Sequence, residues 1–383
     1  MKLGEIVEKP ISGEWGDEDL DGVGVPVLRT TNFTNEGVLN LNSVVTRLIP
    51  LEKCEKKYLC PGDIIIEKSG GSDKQPVGRV VFYDGPERQF LFNNFTAALR
   101  VKENLDFDKK FLFYALFVAY RRGGTEPYQN KTTGIRNLQL QRYLNELEVP
   151  APPLAEQERI VAELDAVVAT LKKRQAQLAE LDALIEARFI ELFGGERFPT
   201  VAIGDEFKTT SGGTPSSKTR EYYDGGAIPW LNSGEVNRGV VDYAENFITE
   251  LGLQNSSAKW VPVDSVLVAM YGATVGKVGL LRIPATTNQA VCSILPNPQF
   301  CPRYLYFAVK SQERWMRSQA LGGAQPNISQ TVIKKMTIPK PPLELQERFA
   351  AEVERVEALK TTVRAGIAET QTLFDALTQR YFG

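Results

Sequence analysis

The thirteen residues PPLAEQERIVAEL begin at Pro152, and the nearly identical PPLELQERFAAEV begin at Pro341. The match continues without a gap to a closing Phe-Gly in both copies, with 17 of 43 positions identical. Weaker echoes lie upstream of each copy; PGDIII from Pro61, for example, is answered by VDSVLV from Val263. The chain is therefore predicted to be a duplication, in which a globular head is followed by a long segment and both are then repeated.

Each long segment is predicted to be a helix, since prolines stand at its start and glycine at its end. Apolar residues recur at spacings of three and four, which is typical of a coiled-coil seam. Gly366 interrupts the second seam and is expected to allow a bend. The apolar stripes comprise Val161, Leu164, Val168, Leu171, Leu178, Ile185, Phe189 and Leu192 in the first copy, and Phe349, Val353, Val356, Leu359, Val363, Ile367, Leu373, Leu377 and Tyr381 in the second.

Such stripes need burial, and the chain order favours pairing of the two helices in antiparallel fashion. Forty helical residues span about 60 Å, so we expect a dumbbell with a pseudo-twofold axis. The predicted fold class is α+β: two mixed α/β globular domains separated by two long helices that form an antiparallel coiled coil. The predicted boundaries are 1–151 (first head), 152–195 (central helix), 196–340 (second head) and 341–383 (distal helix).

Composition excludes several kinds of chemistry. The chain has no histidine, so Ser-His-Asp and Cys-His catalysis and HExxH zinc sites are ruled out. The four cysteines form no CxxC pair and are interpreted as ordinary reduced thiols. Asp63, Glu67 and Lys68 are nuclease-like residue types, but we interpret them as structural surface charge. With no apolar run of membrane-spanning length and no signal sequence, the expected location is cytoplasmic.

A matched basic stretch precedes each proline pair. Residues 121–142 and 310–335 each carry a net charge of +4, although the whole chain has a net charge of −2. Both stretches contain Gly-Gly followed by amide and hydroxyl side chains. Because Lys and Arg neutralise phosphates while amides and hydroxyls bond base edges, these stretches predict contact with nucleic acid.

A duplicated head-plus-helix chain, with PPLxxQER opening each helix, closely resembles the specificity subunit of Type I restriction–modification enzymes. Further support comes from GIRNL at 134–138, QPNIS at 325–329 and SGGTPS at 211–216, whereas the first head has ISGEW where the second has TSGGTPS. The resemblance covers the full chain. It implies a non-catalytic subunit whose heads are target recognition domains for double-stranded DNA, each reading half of a split, asymmetric site. The rod is long enough to hold the heads about 34–36 Å apart, one DNA turn.

The resemblance also implies partners: two copies of a methyltransferase subunit and, in some complexes, restriction subunits. S-adenosylmethionine, ATP and Mg²⁺ would belong to those partners, and no cofactor or metal to this chain. The residues predicted to dock the methyltransferase are Gln157, Glu158, Arg159, Gln346, Glu347 and Arg348. The residues predicted to contact DNA are Lys68, Lys74, Arg121, Arg122, Lys131, Thr132 and Arg136 in the first head, and Thr214, Ser216, Lys218, Lys277, Arg314, Gln325 and Asn327 in the second. Two alternatives stay open: a nuclease acting alone, and a protein-binding coiled-coil adaptor without sequence-specific DNA recognition.

Overall fold

The computed structural model describes residues 1–72, 75–132, 135–322 and 326–383, without the side chains of Lys131 and Thr132. The chain divides into two units: Met1–Gln175 with Gly366–Gly383, and Ala176–Ala365. Each unit contains one head together with parts of both long helices.

The first head is built from short strands and helices, with one longer helix, α3. In chain order its elements are α1 (Leu3–Ile6), β1 (Ile11–Ser12), β2 (Asp17–Glu18), β3 (Val25–Leu28), β4 (Val45–Leu48), α2 (Leu51–Cys54), β5 (Ile64–Glu67), β6 (Ser69–Gly71), β7 (Val80–Phe82), β8 (Leu91–Phe92), β9 (Thr96–Leu99), α3 (Lys109–Arg121), β10 (Gln129–Thr132), β11 (Ile135–Leu138) and α4 (Leu140–Glu146).

The strands of the first head form sheets in the orders β1-β9-β5-β7, β2-β4-β3-β8 and β10-β11-β6. Strand β5 is buried along its whole length, which its unbroken Ile64-Ile65-Ile66 run explains. The buried core joins this sheet to α3 and to the start of the central helix, through Phe111, Leu116 and Leu164.

The central helix and the second head follow. Their elements are α5 (Leu154–Phe193), β12 (Thr200–Ala202), α6 (Ile203–Glu206), β13 (Thr209–Ser211), β14 (Ile228–Leu231), α7 (Ser233–Val236), β15 (Val240–Val241), β16 (Phe247–Ile248), α8 (Glu250–Gln254), β17 (Trp260–Val261), β18 (Val266–Ala269), β19 (Val278–Leu281), β20 (Ala285–Thr287), β21 (Val291–Ile294), α9 (Pro302–Lys310), α10 (Glu313–Ser318), α11 (Gln330–Lys335), β22 (Thr337–Pro339) and α12 (Leu343–Phe382).

The second head repeats the plan of the first. Its sheets have the orders β13-β21-β18-β19-β15, β16-β14-β20-β17 and β12-β22. The register shows the equivalence: Ile64 pairs with Leu99 in the first head, as Val266 pairs with Ile294 in the second. Both heads contain an equivalent parallel pair, β3 with β8 and β14 with β20, and the second head also pairs β15 with β19 in parallel. The predicted duplication of the heads is therefore confirmed at the level of strand pairing.

The two long helices pair in antiparallel fashion within each unit. In the first unit the Tyr381 hydroxyl donates to Glu163 at 2.5 Å, and Arg174 donates to the Gly366 carbonyl further along α5. In the second unit Asp182 of α5 pairs with Lys360 at 2.6 Å. Six residues further along α5, Arg188 pairs with Glu352 of α12 at 2.7 Å. Later residues of α5 thus contact earlier residues of α12, as an antiparallel pair requires.

The apolar stripe of α12 was predicted incorrectly at two positions. Leu359 and Leu373 are exposed, whereas the neighbouring Lys360 and Phe374 are buried. Lys360 tolerates this position because its ammonium bonds Asp182 and Glu357, at 2.6 and 2.8 Å.

The close packing of Arg174 explains why a glycine stands at position 366. A Cβ at this position would lie 2.9 Å from the Arg174 guanidinium carbon. The glycine leaves room for Arg174 to reach the helix backbone, while α12 continues through it as one helix.

Candidate nucleic-acid interface

Four segments of the first head meet where β5 ends. The Lys68 amide donates to the Phe95 carbonyl at 2.7 Å, and the Lys68 carbonyl accepts from the Leu138 amide at 2.8 Å. The Glu14 amide donates to the Phe92 carbonyl at 2.8 Å. We call residues 12–15, 67–69, 92–96 and 136–138 the first junction.

The second head contains the same arrangement. The Met270 amide donates to the Ala290 carbonyl at 2.8 Å, and the Met270 carbonyl accepts from the Ile328 amide at 2.9 Å. The Gly213 amide donates to the Thr287 carbonyl at 3.0 Å. We call residues 211–214, 269–271, 287–290 and 327–328 the second junction.

A glycine lets the first segment cross each junction closely. A Cβ on Gly13 would lie 2.1 Å from the Asn93 carbonyl oxygen, and one on Gly212 would lie 1.7 Å from the Thr287 carbonyl oxygen. No other residue type fits at such distances. The shared close approach makes Ser12-Gly13 of ISGEW equivalent to Ser211-Gly212 of TSGGTPS, residue by residue.

The side chains on this shared framework differ between the heads. Lys68 stands where the second head has Met270, and Phe95 stands where it has Ala290. Lys68 is half-buried, and its ammonium donates to the Ser12 hydroxyl at 2.7 Å. Burial lowers the pKa of the Lys68 ammonium, and nearby Lys57 lowers it further. The two junctions therefore present one backbone geometry with two different chemistries.

Three further residues of the first head that were predicted to contact DNA lie on the β10-β11-β6 sheet. Strand β11 of this sheet contributes to the first junction. Arg136 of β11 is opposite Gly71 of β6, and it donates to the Gln129 side chain at 3.3 Å. Lys131 and Thr132 lie on β10, paired in register with Arg136 and Ile135. Lys74 lies outside the described residues. Lys131, Thr132 and Arg136 thus lie on the β10-β11-β6 sheet, and Lys68 joins this sheet through the Leu138 amide.

Arg121 and Arg122 are not brought to the first junction. They lie at the carboxyl end of α3, where Arg121 pairs with Asp375 at 3.4 Å. Arg122 donates to the Phe382 carbonyl at 3.0 Å. Both contacts tie α3 to α12, so these two arginines have a structural partner in the helix, and DNA contact by them stays a prediction.

In the second head, Thr214 and Asn327 lie at the junction. Thr214 is exposed and donates to Gln289, and Gln289 directly precedes Ala290. Asn327 is also exposed and forms backbone bridges with Tyr271 and Leu321. Their exposed polar side chains are available to a ligand at this surface.

The other predicted residues of the second head are more scattered. Ser216 and Lys218 are exposed further along the loop that carries Thr214, and Arg314 is exposed on α10. Lys277 is half-buried and paired with Glu313 at 2.9 Å. Gln325 lies outside the described residues.

Sequence reasoning missed the aromatic residues at the junctions. Phe95 is 48% exposed in the turn before β9, and Tyr271 is 45% exposed just after β18. A signal was present for Phe95: a large apolar residue stands in the polar turn Asn93-Asn94-Phe95 between two buried strands. Exposed aromatic side chains next to polar groups suit contact with base edges in a DNA groove, for example with the thymine methyl group.

The interpretation of Asp63 and Glu67 as surface charge was wrong. Their side chains are 1% and 3% exposed, and each pairs with an arginine: Arg100 at 2.8 Å and Arg79 at 3.0 Å. Burial raises the pKa of the Glu67 carboxyl, and the Arg79 guanidinium opposes this rise. A charged side chain inside a head persists only when paired, so these are internal ion pairs.

Two of the six residues predicted to dock a partner are buried and bonded within the chain. Gln157 accepts from the Asp108 amide at 2.9 Å and donates to the Pro152 carbonyl at 2.8 Å. Gln346 accepts from the Cys301 amide at 2.9 Å and donates to the Pro341 carbonyl at 2.9 Å. As docking residues these glutamines were predicted incorrectly; each joins the start of a long helix to the helix of a head.

The other four residues of the repeated motif lie on the surface. Glu158, Glu347 and Arg348 are exposed. Arg159 is exposed too, and it pairs with Glu156 at 2.6 Å. These four side chains stay candidates for partner contact.

Neither a metal centre nor a membrane-spanning helix is found in the parts of the chain that the structure describes. Within those parts, no three His, Cys, Asp or Glu side chains are grouped so that they could hold a metal ion. No described helix is both long and apolar enough to cross a bilayer.

Comparison with known families agrees with this architecture. A family model described as the Type I restriction modification DNA specificity domain matches the chain twice, over residues 1–182 and 196–370. The chain belongs to this family.

Among curated proteins, the chain is similar to the EcoR124I/EcoR124II specificity subunit of Escherichia coli. The two are 27% identical over 170 residues, which cover 43% of this chain and 42% of that protein. It is 30% identical over 153 residues to the MjaIX specificity subunit of Methanocaldococcus jannaschii, covering 39% of this chain and 35% of that protein. These matches thus span less than half the length of the relatives.

Solved structures share the fold over the whole chain. The S subunit of a Type I restriction–modification system from M. genitalium superposes with a TM-score of 0.55 at 17% identity, covering 100% of this chain and 95% of that one. A chain from a structural study of Type I system assembly and conformational transition has a TM-score of 0.60 at 17% identity, covering 100% and 96%. The predicted α+β class with paired long helices is confirmed.

Proposed function

We propose that this chain is the DNA-specificity subunit of a Type I restriction–modification complex, and that it recognises a two-part, asymmetric target in double-stranded DNA. The observation that carries the proposal is the pair of junctions, in which one backbone framework displays different side chains. Membership of the specificity-domain family supports it.

Each junction has the chemistry that base reading requires. The first offers an ammonium, a serine hydroxyl and the exposed ring of Phe95. The second offers Thr214, Gln289, Asn327 and the exposed ring of Tyr271. Amides and hydroxyls bond base edges, whereas cations neutralise phosphates. Because the sets differ, the two half-sites differ in sequence.

The subunit acts through partners. Glu158 and Arg159, with their copies Glu347 and Arg348, would form two equivalent docking surfaces for two methyltransferase subunits. Restriction subunits join in some complexes of this kind. S-adenosylmethionine, ATP and Mg²⁺ would then be held by the partners, and the chain itself would be non-catalytic. The proposed domains are 1–151 and 196–340 for recognition, with spacer helices at 152–195 and 341–383, and the proposed location is the cytoplasm.

Selection of DNA by the purified full chain tests the proposal. Duplexes from a randomised library are bound, recovered and sequenced, and binding is measured at several salt concentrations. The proposal predicts enrichment of two different short sequences at a fixed spacing, with affinity that falls as salt rises. Salt-independent retention, or none, would favour a protein-binding adaptor. Cleavage of the library with Mg²⁺ alone would indicate a nuclease.

A further inference from the structure

A buried ion pair joins Glu67, a residue of the first junction, to Arg79. Arg79 donates to both carboxylate oxygens of Glu67, from Nε at 3.0 Å and from Nη2 at 3.3 Å. The Glu67 side chain is 3% exposed and that of Arg79 is 12% exposed. Glu67 ends β5 and is followed at once by Lys68, so the pair is attached to the centre of the junction.

The same guanidinium also holds a separate segment. Arg79 donates to the Thr30 carbonyl at 3.1 Å and to the Phe33 carbonyl at 3.4 Å. These carbonyls belong to the tight turn that follows β3, whose residues Thr31 and Asn35 are exposed. One arginine therefore fixes the turn relative to the strand that carries Lys68.

The turn reaches the junction by a second route as well. The Asn93 amide donates to the Leu28 carbonyl at 2.9 Å, which connects the start of the turn with the segment that presents Phe95. Inside the turn, Asn32 is fully buried and accepts from the Arg29 amide at 2.8 Å. The ion pair, the turn and the junction thus form one connected block.

The second head does not use this ion pair. Ala269 occupies the position of Glu67 and Lys277 that of Arg79, because the Ala269 amide bonds the Lys277 carbonyl as the Glu67 amide bonds that of Arg79, each at 2.9 Å. Lys277 turns instead to Glu313 of α10, at 2.9 Å. The ion pair of Glu67 with Arg79 is therefore a feature of the first head, and the equivalent residues of the second head do not form it.

We propose that Glu67 and Arg79 are positioning residues for recognition of the first half-site. Their ion pair sets the turn carrying Thr31 and Asn35 and the strand end carrying Lys68 in one arrangement against the DNA. The inference rests on the proposed function. It adds to that function a determinant of specificity that does not itself touch the bases.

The same strand provides a matched control. Asp63, at the other end of β5, is 1% exposed and accepts from Arg100 at 2.8 Å to each oxygen. It is likewise a buried carboxylate bound by two guanidinium nitrogens, but it lies away from the junction. Neutralising either carboxylate perturbs the same strand, whereas only Glu67 is connected to the turn.

The experiment compares Glu67→Gln with Asp63→Asn in the full chain, each replacing the wild-type gene in the host. Methylation-aware sequencing gives the discrimination at every position of both half-sites, and the melting temperature of each purified chain gives its stability. For Glu67→Gln we expect discrimination at the first half-site to fall about tenfold, the scale of one misread base pair. The second half-site should be unchanged, and Asp63→Asn should keep discrimination at both.

Arg79→Lys is a second variant, in case Glu67→Gln does not accumulate in a folded form. It keeps the positive charge, but a lysine ammonium cannot bond Glu67 and both carbonyls at once. This variant should therefore also reduce sequence discrimination at the first half-site. Unchanged discrimination in the folded Glu67 or Arg79 variant would overturn the inference. So would an equal loss in Asp63→Asn. If the wild-type chain itself directs no two-part motif, the proposed function fails instead, so the two failures are distinguishable.

Discussion

Replacing Gln346 with leucine should destabilise the second unit by about 2–4 kcal/mol. Gln346 is completely buried, where it bonds the Cys301 amide at 2.9 Å, the Pro341 carbonyl at 2.9 Å and the Gln299 carbonyl at 3.3 Å. Each such bond contributes about 1 kcal/mol, and a buried amide left without its acceptor costs about 1–3 kcal/mol. Leucine has a similar volume, so the cost comes from the lost bonds rather than from a cavity.

Urea denaturation followed by tryptophan fluorescence measures this effect. Three of the four tryptophans, Trp230, Trp260 and Trp315, lie in the second unit and report on its unfolding. For a unit of this size the loss corresponds to a fall in melting temperature of roughly 4–16 °C.

A control in the same unit and a copy in the other unit sharpen the test. Gln177→Leu, at an exposed position of α5, should change stability by less than about 0.5 kcal/mol. Gln157→Leu breaks the two equivalent bonds of the first unit and should cost about 2 kcal/mol there. If Gln346→Leu is as harmless as the exposed control, the repeated glutamine does not join helix and head as described.

Three other changes test the junctions and the docking surfaces. Lys68→Met gives the first junction the residue that the second junction has at the same position. It should reduce sequence discrimination at the first half-site only. Titrations at several salt concentrations should also show that the slope of log affinity against log salt falls by about one unit. Gly212→Ala places a Cβ 1.7 Å from the Thr287 carbonyl oxygen, so it should abolish recognition of the second half-site in the library selection. Glu158→Lys together with Glu347→Lys should reduce co-purification of the methyltransferase at least about tenfold, while DNA selection by the chain alone is kept.

Each of these changes has a control and a contradicting result. For the lysine, an unchanged salt slope and unchanged motif would exclude Lys68 from the DNA contact. For the glycine, Gly234→Ala is the control, since a Cβ there meets only the Asn232 side chain, at 3.1 Å; equal effects would contradict the close-approach argument. For the double variant Glu158→Lys with Glu347→Lys, the control is Glu180→Lys, at an exposed position of α5. If the double variant and the control co-purify equally well with the methyltransferase, the two glutamates do not contact it.

The duplication was predictable because the motifs that reveal it consist of residues close together in the chain. The PPLxxQER repeat, the absence of proline within the long segments and the spacing of apolar residues gave both 40-residue helices to within two residues at their starts. The echo between PGDIII and VDSVLV coincides with equivalent buried strands of the two heads, β5 and β18. Such features depend on residues close together in the chain.

Burial of polar side chains was not predictable in this way. Gln157 and Glu158 are adjacent and both polar, yet only the first is buried, because the packing of α3 decides which one faces inward. Lys360 likewise faces inward because Asp182, 178 residues away in the chain, supplies its partner. Spacing alone cannot report partners at such separations.

The meeting of distant segments at the junctions was not predictable for the same reason. Lys68, Phe95 and Leu138 meet through backbone bonds between segments far apart in sequence. Sequence reasoning selected Lys68 for its charge and passed over Phe95, since an apolar residue in a turn between strands resembles an ordinary core residue. It also selected Arg121 and Arg122, whose charges the structure directs to α12.

Methylation-aware sequencing of the host genome, with and without this gene, tests most directly the claim that the two heads read two different half-sites. The account predicts that one methylated motif disappears with the gene, and that this motif consists of two unlike short sequences at a fixed spacing. Loss of a symmetric or undivided motif, or an unchanged methylation pattern in a host that expresses the methyltransferase subunit, would contradict it.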